Sequence, residues 1–128
     1  MTKSVVNGVN VYTQTVSALP GDTTETYSEV IKGFTPNLKN ESRNVTIVCT
    51  PSAVSGTNID IALYGSKTEA GTSKFLLKDA VVADLTVDAK AVAGVVDLND
   101  YPAPYYFISF ICDTDESANS MVIDVIGV

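Results

Sequence analysis

The groups in this chain able to do chemistry are two cysteines, fifteen carboxylates and six tyrosines, with no histidine among them. Without an imidazole, Ser-His-Asp and Cys-His nucleophile systems are excluded, and so are most zinc sites. Cys49 and Cys112 alone cannot complete a tetrahedral Cys/His set. No run has the glycine-lysine ending of a phosphate-cradling loop. A carboxylate pair can hydrolyse glycosides, but fifteen acids along one chain make chance pairs inevitable. The loop Asp113-Thr114-Asp115-Glu116 offers alternating oxygens to Ca²⁺, yet it lacks the central Gly and distal Glu of the helical calcium loop. A solvated tip that discourages edge pairing is the plainer reading. The expectation is no catalytic residue, no metal and no cofactor.

The tyrosines raise sugar binding. Platforms for sugars are flat exposed aromatics, and Tyr12, Tyr27, Tyr64, Tyr101, Tyr105 and Tyr106 are available, although Trp is absent. Tyr in a strand more often packs half-buried with its hydroxyl bonded. The two cysteines sit in apolar runs and read as buried free thiols of a reducing compartment. A disulfide between neighbouring strands stays open, because spacing alone does not decide it.

These side chains must be positioned by strands. Residues alternate over Val9–Val16, Arg43–Thr50, Asn58–Tyr64 and Ala91–Leu98, and Thr24–Phe34 is rich in β-formers. Lys74–Thr86 reads as two short strands broken at Lys78-Asp79, with Val81, Ala83 and Leu85 alternating against Val82 and Asp84. Turn residues punctuate at Leu19-Pro20-Gly21-Asp22, Thr35-Pro36-Asn37, Pro51–Thr57, Gly65–Ser73 and Asn99–Pro104. Seven to nine short strands at this spacing, without a long amphipathic helix, predict an all-β, single-domain antiparallel β-sandwich, jelly-roll or Ig-like. The whole of 1–128 forms that domain, with 1–8 as a flexible N-terminal arm.

Two strands near the carboxyl end are apolar on both faces. In Pro104–Cys112, Tyr105, Phe107 and Ile111 project one way, against Tyr106, Ile108, Phe110 and Cys112. In Met121–Val128, Met121, Ile123 and Val125 oppose Val122, Ile126 and Val128, with Asp124 the only charge. The polar loop Asp113–Ser120 joins the two as a central hairpin. A sandwich strand usually wets one face, so a second greasy face needs a cover. Either a loop of the same chain, for instance Ala91–Pro104, lies over it, or another polypeptide does. The candidate interface is Tyr105, Phe107, Ile111, Met121, Ile123 and Val125.

Charge narrows the partners. The chain is 128 residues with net charge −7, and residues 65–128 hold ten Asp/Glu against four Lys/Arg. An acidic surface repels phosphate, so nucleic acid is not expected as a partner. No run approaches the roughly 20 apolar residues of a membrane span, and Met1-Thr2-Lys3-Ser4 does not open a secretory leader. Synthesis in a cytoplasm is expected, which makes the sequons at Asn40 and Asn44 coincidental.

The run Ile59-Asp60-Ile61-Ala62-Leu63-Tyr64-Gly65-Ser66-Lys67-Thr68-Glu69-Ala70-Gly71 resembles the strand and turn of small structural proteins in tailed-phage virions. So does Gly94-Val95-Val96-Asp97-Leu98 followed by Tyr101-Pro102-Ala103-Pro104-Tyr105-Tyr106. The resemblance covers roughly 58–128 and describes a packed sandwich, not a site; the first half matches only in style. It implies a capsid decoration (cement) protein: non-enzymatic, a homo-oligomer and often a trimer, bound to the major capsid protein on the outer surface of the head. A tail or baseplate component and a sugar-binding module are the alternatives.

Overall fold

Ten strands and no helix make up the described part of this computed structural model, which comprises residues 1–21, 24–32, 44–52, 54–83, 86–88 and 90–127. They are β1 (Thr2–Val6), β2 (Val9–Val16), β3 (Thr26–Tyr27), β4 (Asn44–Pro51), β5 (Val54–Ser66), β6 (Lys74–Val82), β7 (Thr86–Asp88), β8 (Val92–Asp97), β9 (Tyr105–Cys112) and β10 (Met121–Gly127). Sheet A runs β1-β2-β10-β4-β8, and sheet B runs β3-β9-β5-β6, with β7 also on β5. All pairings are antiparallel.

The order has a simple origin. β2 pairs β10, β3 pairs β9, β4 pairs β8 and β5 pairs β6. One long hairpin is thus rolled up so that successive pairs fall in alternate sheets. This is the jelly roll, and it decides between the two sandwich types the spacing left open. It also corrects one expectation: β9 and β10 do not form a hairpin. Each is interior to its own sheet, and the 113–120 connection crosses between sheets.

Alternation explains the core. Val45, Ile47 and Cys49 of β4 meet Met121, Ile123 and Val125 of β10 on the inner face of sheet A. Ile59, Ile61 and Leu63 of β5, with Tyr106, Ile108, Phe110 and Cys112 of β9, supply the facing layer. Both cysteines are free and buried, on different sheets. Tyr106 brings a polar tip inside, where its hydroxyl donates to the Tyr101 carbonyl at 2.9 Å and accepts from Ala103 N–H at 3.0 Å. The Pro-rich loop before β9 is thereby strapped to the core.

Several boundaries differ from expectation. Residues 2–6 are not a free arm but β1, because Asn7-Gly8 forms a tight turn with φ of +49° and +79°. Asn-Gly between alternating residues is the hairpin signal for such a turn. Of the strand expected over Thr24–Phe34, the described residues 24–32 form only Thr26–Tyr27 plus a bridge between Ile31 and Tyr106, and residues 33–34 lie outside the described part. β6 is one strand rather than two. The break expected at Lys78-Asp79 is a bulge there, with Ala80 at φ +48°.

Candidate functional site

The candidate interface residues divide into three environments. Met121, Ile123 and Val125 are almost wholly buried between the sheets, so no partner of the folded chain reaches them. The row of β10 expected at the interface is core, and Val122, Asp124 and Ile126 face out. Tyr105, Phe107 and Ile111 do share the outer face of sheet B. Of these, Tyr105 and Ile111 are half-buried, while Phe107 is covered by its own chain.

The cover on Phe107 is the turn before β6, not the 91–104 segment. Gly71, at φ +67°, lies so close that a Cβ there would stand 2.7 Å from Phe107 Cζ. Lys74 Nζ sits 4.8 Å from the centre of the Phe107 ring and 4.5 Å from that of Tyr27. It also donates to the Gly71 carbonyl at 2.7 Å. The Tyr27 and Tyr64 rings meet edge to face at 5.2 Å, and both hydroxyls bond the Glu25 carboxylate. Burial, reinforced by that carboxylate, pushes the Tyr27 phenol up to about 12. Half of the six tyrosines, Tyr27, Tyr64 and Tyr105, therefore gather on this face, and sequence spacing did not foresee Tyr27 or Lys74 joining them.

The outer face of sheet A is of another kind. Its register sets Val11, Ile126, Thr46 and Val95 in one row across four strands. Thr13, Asp124, Val48 and Ala93 make the next row, and Thr15, Val122 and Thr50 the third. Nearly all these side chains are β-branched, which suits a flat pleated surface. The charge at its centre, Asp124, accepts a hydrogen bond from Thr13 Oγ1 at 2.5 Å. Val95 is more than half exposed.

No family model and no curated protein matches this chain.

The surface therefore has to be read from its own chemistry. Five strands about 4.8 Å apart and about seven residues long span roughly 600 Å², slightly below the ≈ 800 Å² each partner gives to a standard interface. A signal for it lies in the sequence: 4–21, 44–59 and 91–96 carry no charged residue, and they hold most of β1, β2, β4 and β8. Among the described residues, no cluster of His, Cys, Asp or Glu is arranged to hold a metal ion. The 113–116 loop is not uniformly solvated either. Glu116 is buried and accepts from Asn119 Nδ2 at 2.6 Å, while Asp113 and Asp115 are exposed. Burial raises both thiols, Cys49 to about 12 and Cys112 to about 11, with nearby carboxylates adding to it, so neither is primed as a nucleophile.

Proposed function

We propose that this protein is a non-enzymatic capsid decoration protein that docks on the outer surface of a phage head through the outer face of sheet A. One observation carries the reading: a five-stranded, largely β-branched face with one central charge, Asp124, and a second, Asp97, only at its β8 corner, on a chain of net charge −7. A face so poor in charge loses little solvation when covered. The jelly-roll topology, a framework shared by viral capsid domains and lectins, and the resemblance of residues 58–128 to phage structural proteins support it by analogy only.

The mechanism is additive. Each copy bridges neighbouring capsid subunits, and a ligand that binds only the assembled state stabilises that state by mass action. An interface of about 600 Å² is weak alone. Repeated by symmetry and joined through a homo-oligomer, it gains from effective concentration. The copies would be made in the host cytoplasm and would end on the virion exterior.

Co-sedimentation with heads lacking the protein tests this. Wild-type chain is expected to pellet with the particles and to raise their disruption temperature. Val48→Lys and Val122→Lys, each placing a charge on the outer face, are expected to bind at least about tenfold more weakly, as one to two desolvated charges would impose. Equal binding by folded variants, or none by wild type, would remove the proposal. Immuno-electron microscopy separates the head from a tail or baseplate.

A second reading, sugar binding, is favoured by the Tyr27, Tyr64 and Tyr105 group on sheet B. Two of its three rings are already engaged: Lys74 covers Tyr27 and the Tyr27–Tyr64 pair is perpendicular, so these two offer no flat platform. A glycan array without hits is the expected result.

A further inference from the structure

Sheet A has two edges, and they are treated differently. Under the β8 edge, β6 of the other sheet packs against the inner face: Gly94 shares the inward row with Ile47, and a Cβ on it would lie 1.7 Å from the Val81 carbonyl oxygen. At the opposite edge, among the described residues, β1 pairs only with β2. All five β1 residues are exposed, Val5 at 63% and Val6 at 56%. Natural edges are usually blunted by charge, proline or a bulge. Here the one charge is Lys3, and its ammonium lies 5.7 Å from the Tyr12 ring of the same chain.

Charge selects the occupant. Residues 1–21 contain none of the fifteen carboxylates, and the one brought beside them, Glu29, is paired with the Met1 ammonium. Two copies of a −7 chain repel over most of their surfaces, and the β1–β2 hairpin is where that repulsion is least. We propose that the free edge of β1 is a homodimer seam, pairing antiparallel with β1 of a second copy about a two-fold axis through Ser4.

The turn dictates the register. Val6 and Val9 flank the two-residue Asn7-Gly8 turn as a hydrogen-bonded pair, so Thr2, Ser4 and Val6 spend their backbone groups on β2. Lys3 and Val5 then turn N–H and C=O outward. Centred on Ser4, each Lys3 faces Val5 of the second copy and exchanges both bonds, about four in all. No lysine opposes its own mate. Like pairs with like about the two-fold axis, so the seam is isologous, in place of the trimer that the family resemblance implies. The seam uses an edge, not the docking face, and it holds or fails without reference to capsids.

The test is mass in solution, by light scattering at up to about 1 mM, where even weak pairs populate. Wild type is expected at twice the 13.5 kDa chain mass. Val5→Pro removes one outward N–H without touching the β1–β2 ladder, as edge prolines do, and is expected to return the single-chain mass with an unchanged circular dichroism spectrum. Ser4→Cys places two thiols across the axis at about 4.5 Å between Cα atoms, within disulfide reach, so mild oxidation should give a covalent dimer while buried Cys49 and Cys112 stay free. A monomeric or trimeric wild type, a folded Val5→Pro that remains dimeric, or a Ser4→Cys chain that does not cross-link would each overturn the seam. Should Val5→Pro unfold, the cross-link decides. A dimer that ignores capsids would remove the docking proposal and leave the seam standing.

Discussion

Ser28 completes one rung of sheet B with both its backbone and its side chain: its N–H donates to the Ile108 carbonyl at 2.7 Å, and its Oγ accepts the Ile108 N–H at 2.9 Å. β3 has ended at Tyr27, and the chain returns to β9 only at the Ile31–Tyr106 bridge. A hydroxyl stands in for the carbonyl that the departing chain cannot bring to Ile108. Ser28→Ala would leave that N–H buried and unpartnered, at a cost of about 2 kcal/mol. The melting temperature should fall by roughly 5–10 °C, and Ser28→Thr should recover most of it. Calorimetry of the two variants checks both.

Gly94→Ala is expected to be worse. The added methyl would meet Val81 backbone, and backbone cannot rotate aside as a side chain can. Overpacking of this kind costs about 3 kcal/mol or more, read as a shift in the urea midpoint. A midpoint equal to wild type would mean that β6 and β8 lie farther apart.

Phe107→Ala should destabilise by about 3 kcal/mol, because this ring, though on an outer face, is covered by Gly71 and Lys74. Oligomeric mass should not change. A change in mass without a loss of stability would restore Phe107 to an interface.

The thiols carry a pH dependence. Burial raises Cys49 to about 12 and Cys112 to about 11 from the ordinary 9.0. Between those values the folded state keeps protons that the unfolded chain releases, so stability is full below about pH 9 and declines as pH rises toward 12. Tyr27, raised from 10.0 to about 12, acts in the same sense. Denaturation at pH 8 and pH 10.5 should show lower stability at the higher value. At pH 8 a thiol reagent should modify neither cysteine in the native protein and both in denaturant.

Much of the β-class was legible in the residues. The alternation at Val45, Ile47 and Cys49 depends only on neighbours in sequence, and the structure keeps it. The same rule separates Met121, Ile123 and Val125 from Val122 and Ile126, but not which row faces the core: both are apolar. Asn7-Gly8 states its turn locally, and β1 was legible in it, although its polar, exposed residues read as an arm.

Length, charge, the absence of histidine and the two-residue period therefore determined an all-β chain without a histidine-dependent nucleophile system, since each follows from composition or from bonds between adjacent residues. Partners across 50 or 100 residues are another matter. Whether β10 pairs β9 or β2, what covers Phe107, which edge stays open at β1, and that Tyr27 meets Tyr64 were decided by tertiary packing. Period-two alternation says which side of a strand a residue occupies, and only the burial of both sheets against each other says which strand lies beside it.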